Sequence, residues 1–305
     1  MARSDLSRSV EMKGFVGRAV SIEHLQELEE DIHARHRAGL FDEAFFQERL
    51  NGFVFAPPDC LPQARSLIVV AVPQPQVRFT FRWKGARRPV IVPPTYLHWE
   101  ETDRQVEAGL AEILEADGYT VAQAQLPKKL LAVRSGLAEY GRNNITYVAG
   151  MGSFHRLVVL ASDWPCEDEE WREPRMMERC ESCRACPRNC PSRAITEDRF
   201  LLRAERCIVF HNEQAGDVPF PAWVDGSWHN CLVGCMLCQT VCPVNADVLG
   251  WIEDGERFSS DETGLLMAGM PIDQLPAETA RKLEEHDLTD LYDVLPRNLG
   301  ALFAS

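Results

Sequence analysis

Eleven cysteines in 305 residues are many, and eight of them sit in two short runs, seven at places whose spacings match. "RCESCRACPRNCPSRAI", residues 179–195, carries Cys180, Cys183, Cys186 and Cys190, followed by Pro191. "NCLVGCMLCQTVCPVN", residues 230–245, repeats the last three places with Cys235, Cys238, Cys242 and Pro243. Leu232 stands where the first place would fall in step, and Cys231 lies one position early. A C-x2-C-x2-C-x3-C-P run lets a loop put three thiolates on one [4Fe–4S] cube while the fourth reaches a second cube. A zinc site built on two C-x2-C pairs needs neither a third cysteine in step nor the terminal proline. The spacing therefore predicts two [4Fe–4S] clusters. One takes Cys180, Cys183, Cys186 and Cys242. The other takes Cys190, Cys235, Cys238 and a fourth thiolate, either the adjacent Cys231 or the distant Cys207 of "AERCIVFH"; local spacing favours Cys231. Cys60 and Cys166 lie outside these motifs and read as spectators.

Clusters of this kind pass electrons singly, at potentials anywhere from about −700 to +450 mV. A bare electron carrier has no use for the long segment that precedes the cysteines, so the pattern favours a redox enzyme in which the clusters feed a second cofactor. The elements that must position these groups come from an ordinary globular composition, 45% hydrophobic and 26% charged. With 46 acidic against 32 basic residues the net charge is −14, which disfavours a nucleic-acid partner. The densest basic stretch, "RFTFRWKGARR" at 78–88, reads as a solvated β-hairpin edge, with an RNA or anionic-cofactor contact as the other reading. No apolar run approaches the ~20 residues that span a bilayer. The N-terminus lacks the apolar stretch of a signal peptide. A cytoplasmic location is expected, where cysteines stay reduced and serve metals rather than disulfides.

The chain divides by pattern into a mixed α/β part over 1–165, a cysteine-rich part over 178–250 and a helical tail over 258–305. Residues 22–50 read as amphipathic helix broken at Gly39, 64–75 as a buried strand, 89–94 as a second strand, and 98–119 as a helix stopped by Gly118. "YTVAQAQL" reads as a strand and "KKLLAVRSGL" as a helix. "ITYVAG" and "SFHRLVVLASDW" read as an antiparallel pair joined by a Gly-Met-Gly turn. The cysteine-rich part has few apolar positions, so bound metal is expected to supply much of its folding energy.

"RSGLAEYGRNNITYVAGMGSFHRLVVLASDW", "CESCRACPRNCPSRAIT", "AERCIVFH" and "GCMLCQTVCPVN" resemble, in order, segments of the epoxyqueuosine reductase family. These are cobalamin-dependent iron–sulfur enzymes related to the reductive dehalogenases. The likeness is clearest over 130–250, and "LPRNLGALF" resembles the family's helical tail. The resemblance implies an α+β, nitroreductase-like cobalamin-binding domain packed against a ferredoxin-like two-cluster domain. It places the "RCISYL"-like cysteine of the family on Cys207, making that residue the fourth ligand of the second cluster and Cys231 a reserve thiol. It also implies corrin contacts from Gly141, Arg142, Asn143, Gly152 and Ser153. The family's acid, in a "D-[ST]-x-P-x-x-E"-like stretch, is missing: Ala122 and Lys128 stand at the carboxylate positions, or Ala124 and Leu130 when the proline is matched. Tyr96 and His98 of "TYLHW" are then the candidate proton donors. Lys128 and Lys129 are candidates for an anionic ligand, and Trp228 and His229 for packing over a cluster.

Three functions follow as expectations. The leading one is a corrinoid-dependent reductase of a small substrate, fed by an external low-potential donor such as ferredoxin or flavodoxin. The next is a reductive activator that passes electrons to a partner such as a corrinoid protein. The third is epoxyqueuosine reduction in tRNA.

Overall fold

The structure is a computed structural model that describes residues 14–166 and 169–304. In chain order it forms β1 (Val16–Ser21), α1 (Leu25–Arg37), β2 (Ser66–Pro73), β3 (Gln76–Trp83), β4 (Ala86–Val92) and α2 (Trp99–Glu115). Then come β5 (Val121–Gln123), α3 (Lys128–Arg134), β6 (Glu139–Tyr140), β7 (Thr146–Tyr147) and β8 (His155–Ser162). The cysteine-rich part and tail give α4 (Ala185–Asn189), α5 (Ile208–Asn212), α6 (Leu237–Thr240), β9 (Ile252–Phe258), α7 (Ser260–Met267), α8 (Ala277–Glu284) and α9 (Leu295–Ala304). The chain falls into two compact units. The first takes residues up to 73 with 99–184 and 198–204; the second takes 74–98, 185–197 and 205–305. Among the described residues no helix is long and apolar enough to cross a membrane.

The first unit is an antiparallel sheet, β1-β2-β8-β5, covered on both faces. Its central strand "SLIVVAVP" is apolar without interruption because each face has its own core. Leu67, Val69 and Ala71 pack with Leu25, Leu28 and Ile32 of α1. The alternate residues Ile68 and Val70 pack with Val106, Leu110 and Leu114 of α2, which recur every fourth position along one helix face. The predicted hairpin of "ITYVAG" with "SFHRLVVLASDW" does not form. Thr146–Tyr147 pairs with Glu139–Tyr140, β8 pairs with β2 and β5, and only a Val148–Gly152 bridge joins the two segments. The reason lies in β8 itself: Leu157, Val159 and Ala161 face one core and Val158 and Leu160 the other, so it must sit inside a sheet buried on both sides.

The second unit carries the β4-β3-β9 sheet. The predicted hairpin over 78–88 is present, turning at Lys84 and Gly85, both in the left-handed region as a tight two-residue hairpin requires. It is not simply a solvated edge, because β3 is the middle strand and takes β9 in parallel on its other side. Its aromatics Phe79 and Phe81 are fully buried, and Phe81 stacks on Phe258 with ring centroids 4.8 Å apart. Around them gather Val90, Val92, Leu232, Val233, Leu266, Leu295 and Leu299. Ser259 and Glu262 form a reciprocal capping box that starts α7 directly after β9. The apolar core of this unit thus comes from the hairpin and the tail, with Leu232 and Val233 inserted from the cysteine run.

Candidate iron–sulfur centre

The later parts of the two cysteine runs fold alike within the second unit. Cys186 lies in α4 and Cys238 in α6, two one-turn helices, and Cys190–Pro191 and Cys242–Pro243 follow them. Asn189 Nδ2 donates to Leu237 O at 2.6 Å, holding the two helices side by side. Cys207 stands at the N-cap of α5. Its thiol is pushed up to about 12, first by burial, then by Cys235, Cys190 and Glu213, against the backbone N–H of Val209. Cys235 is raised by burial and by Cys190. Hydrogen bonds between their neighbours join the three loops: Arg206 Nε donates to Ser192 O at 3.1 Å, linking the Cys207 and Cys190 segments, and Asn212 pairs with Gly234, linking the Cys207 and Cys235 segments. A buried thiol that resists ionisation alone becomes a thiolate when a metal takes its charge, so this set fits an iron–sulfur cluster. Among the described residues no three His, Cys, Asp or Glu side chains close on a single metal ion.

Cys231 has other commitments. It is 1% exposed, its main chain is bridged to Ile91, and its Sγ donates to Asn230 Oδ1 at 3.1 Å. Burial pushes its thiol strongly up, and Cys235 adds to the effect.

Three residues that the sequence reading passed over hold the loops of this centre. Asn212, at the end of α5, donates to Gly234 O at 2.7 Å and accepts from Gly234 N at 3.0 Å. This reciprocal pair ties the Cys207 helix to the Cys235 loop. Asn298 of the tail donates to Asn212 O and to Leu232 O, both at 2.9 Å. Its neighbour Arg297 donates to Asn212 O at 3.0 Å and to Ala215 O and Val218 O at 2.8 Å. The "RN" of the tail was the one signal, and it was legible only as resemblance.

Tyr96 is half-buried against Gly234, and its hydroxyl donates to Glu213 Oε1. Burial, then Glu213, Cys207 and Cys231, hold the phenol well above its ordinary range, so it stays protonated. His98 is exposed, sits at φ +53° and pairs through Nδ1 with Asp287 at 3.1 Å. Trp228 and His229 lie in an aromatic loop, His229 4.4 Å from Phe220 and Trp228 6.3 Å from Trp223, measured between ring centroids.

In the first unit Cys180 is buried and Cys183 half-buried, just after the segment anchored by Arg142. That buried guanidinium donates from Nε and Nη2 to Cys180 O at 3.2 and 2.7 Å, and from Nη2 to Glu181 O at 3.4 Å. Asn143 donates to Tyr147 Oη at 3.0 Å and accepts from Ile145 N at 3.3 Å. Gly141 is required by its own neighbours: a Cβ there would lie 2.5 Å from Asn143 Oδ1 and Tyr147 Cε2. Gly152 makes a left-handed turn at φ +54°, and Ser153 is buried. The hydrogen bonds of Arg142 and Asn143 are thus made to this loop and to the cysteine segment. Ala122 is buried in β5, and Lys128 Nζ lies 3.5 Å from Asp103, whose carboxylate is held by both Arg156 nitrogens at 2.6 and 2.8 Å. Cys60 is exposed and Cys166 half-buried.

Residues 179–245 match a 4Fe-4S double cluster binding domain family. Epoxyqueuosine reductase of Cyclobacterium marinum is 31% identical over 135 residues, 44% of this chain and 42% of that protein. Tetrachloroethene reductive dehalogenase of Sulfurospirillum multivorans is 30% identical over 145 residues, covering 46% of this chain and 28% of that one. These matches span less than half the length of the curated relatives. The solved structure of epoxyqueuosine reductase from Streptococcus thermophilus has the same fold, with a TM-score of 0.67, 17% identity, and coverage of 99% of this chain and 80% of that one. The chain thus carries a 4Fe-4S double cluster binding domain at residues 179–245, shares the fold of a solved epoxyqueuosine reductase, and is similar in sequence to epoxyqueuosine reductases and to a reductive dehalogenase over less than half of its length.

Proposed function

We propose that the chain is an iron–sulfur reductase of the epoxyqueuosine reductase type, with Cys180, Cys183, Cys186 and Cys242 holding one [4Fe–4S] cluster and Cys190, Cys207, Cys235 and Cys238 the other. When bound, such clusters supply electrons one at a time. The observation that carries the second ligand set is the joining of the Cys190, Cys207 and Cys235 loops by Arg206 on Ser192 O and Asn212 on Gly234, with Asn298 bracing Asn212. Reductive loss of an epoxide oxygen takes two electrons and two protons and releases water, which matches a pair of one-electron centres. The protein's own contribution is to fix the loops and hold protons nearby. Tyr96 on Glu213 and His98 on Asp287 are the acid–base pairs proposed for the last role, and only His98 is exposed.

Ala122 and Ala124, in place of the carboxylate that the resemblance requires, favour a second reading in which the same electrons go to another acceptor, either a corrinoid that reduces a small substrate or a partner protein. One experiment separates them. The chain is purified without oxygen, its iron, sulfide and corrinoid are counted, and it is assayed on an epoxyqueuosine-modified tRNA stem loop with a reduced ferredoxin or flavodoxin. About eight iron atoms per chain and conversion of the stem loop are expected. Eight irons without conversion would promote the second reading, with extracted corrinoid selecting the small-substrate form. An iron count near zero would refute both.

A further inference from the structure

Asn230 belongs to no cysteine motif, yet every hydrogen-bonding position of its amide is used. Oδ1 accepts from Met236 N at 2.9 Å and from Cys231 Sγ at 3.1 Å. Nδ2 donates to Trp228 O at 3.0 Å and to Cys235 Sγ at 3.2 Å. The orientation of the amide is fixed by the backbone, since Met236 N–H can only donate and Trp228 C=O can only accept. One N–H is therefore aimed at the sulfur of a proposed cluster ligand. All these residues lie in the second unit.

We infer that Asn230 is a positioning residue that sets the reduction potential of the second cluster through its N–H···S bond to Cys235, with Cys231 serving as the thiol that locks the amide. The inference rests on Cys235 being a cluster ligand. A donor on a ligand sulfur draws negative charge from the cluster and stabilises the reduced state, which carries one more electron, so the potential rises. The two acceptor bonds on Oδ1 keep the amide from turning its oxygen toward the sulfur, which would act in the opposite direction. This also accounts for a buried cysteine beside a ligand run that is bonded to an amide. Cys231 is within the site, but its partner is the residue that tunes the cluster.

The test is a redox titration of the anaerobically purified full chain, followed by electron paramagnetic resonance, with iron counted in the same samples. Two reductive waves are expected from the unaltered chain. Asn230→Ala should lower one midpoint and leave the other in place, with iron unchanged. Asn230→Asp keeps the oxygen that meets Met236 and Cys231 but replaces the donor by a charged acceptor, so the same midpoint should fall further. Cys231→Ser retains a donor to Oδ1 and should move neither wave. Unchanged or raised midpoints in both Asn230 variants would overturn the inference. So would loss of half the iron in Asn230→Asp, since the amide would then build the site instead of tuning it. Failure of the underlying ligand reading is recognised separately: Cys235→Ser would keep its full complement of iron.

Discussion

Replacing Asn298 with alanine tests whether the C-terminal tail is part of the cluster-binding machinery. The side chain is fully buried and its Nδ2 serves two carbonyls, Asn212 O and Leu232 O. Without it Asn212 O keeps Arg297 Nη2, so that loss is close to the net value of one hydrogen bond, about 1 kcal/mol. Leu232 O loses its amide donor in a place water does not reach, at about 1–3 kcal/mol. The sum is about 2–4 kcal/mol, which for a unit of this size lowers the thermal midpoint by roughly 10 °C. Arg297→Ala is the comparison. It removes three main-chain carbonyl bonds, the bond from Nε to Asn298 Oδ1 and the stacking of its guanidinium on Phe220, but Ala215 O and Val218 O lie in exposed surroundings where water replaces the donor, so about 1–2 kcal/mol is expected. Cluster absorbance is followed without oxygen at one fixed scan rate, because cluster loss is irreversible. Iron release to a chelator should become biphasic in Asn298→Ala, half leaving early, because Asn212 and Leu232 brace the loops of Cys207 and Cys235 alone. A midpoint within about 1 °C of the unaltered chain, or an effect smaller than that of Arg297→Ala, would refute the reasoning.

Cys207→Ser should cut bound iron from about eight to about four atoms per chain while Cys231→Ser keeps about eight; the reverse pattern would restore the ligand choice that local spacing favours. Gly234→Ala forces a side chain into φ +72° with its Cβ 2.8 Å from the Tyr96 ring, and should cost about 2 kcal/mol or more in a thermal scan. Gly226→Ala, with open space around it, is the control and should be near neutral. Burial lowers His155 to about 4 from an ordinary 6.5, so the unfolded chain binds the extra proton between those values. Its contribution is complete above pH 6.5 and is lost as the pH falls toward 4, by on the order of 3 kcal/mol. His155→Gln should flatten the urea midpoint against pH across that window, and an unaltered slope would show that the imidazole is not the acid-sensitive group.

The legible parts of the sequence were those where periodicity or spacing is itself the physical requirement. Cys180 to Cys190 and Cys235 to Cys242 fall on matching loop-and-helix turns because the spacing encodes how a chain wraps a cube. The helix at Trp99–Glu115 stops ahead of Gly118 at φ +83°, as its pattern required. β9 was missed because "IEDGERF" is acidic and mostly exposed, with Phe258 its single buried residue, and a partner strand about 176 positions earlier leaves no local trace. β1 was missed because Gly17 and Arg18 interrupt its apolar pattern at the edge of the sheet. Asn212, Asn230 and Asn298 were invisible for a different reason. An asparagine reads as loop chemistry until the carbonyls and sulfurs around it are placed, and only tertiary structure places them.

The same placement explains how a segment so poor in apolar residues keeps its shape. Metal supplies folding energy at the cysteines, but a metal fixes only the atoms it ligates, and the loops between ligands need their own anchors. Leu232 and Val233 enter a core made by Phe79, Phe81, Phe258 and Leu299, so the second cysteine run is held from below by packing. Asn212 and Asn298 hold it from the side, and Leu232 N donates to Ile91 O at 2.8 Å, extending the β4 backbone into the loop. Position and redox chemistry are thereby assigned to different residues. Hairpin and tail fix where the sulfurs stand, and the polar contacts on those sulfurs set how readily an electron is accepted. A change in the tail should alter cluster retention without moving a midpoint, and a change at Asn230 should do the reverse. Iron counts and redox titrations on Asn298→Ala and Asn230→Asp side by side would show whether the two properties separate; a midpoint that moves in the tail variant with iron intact would mean they do not.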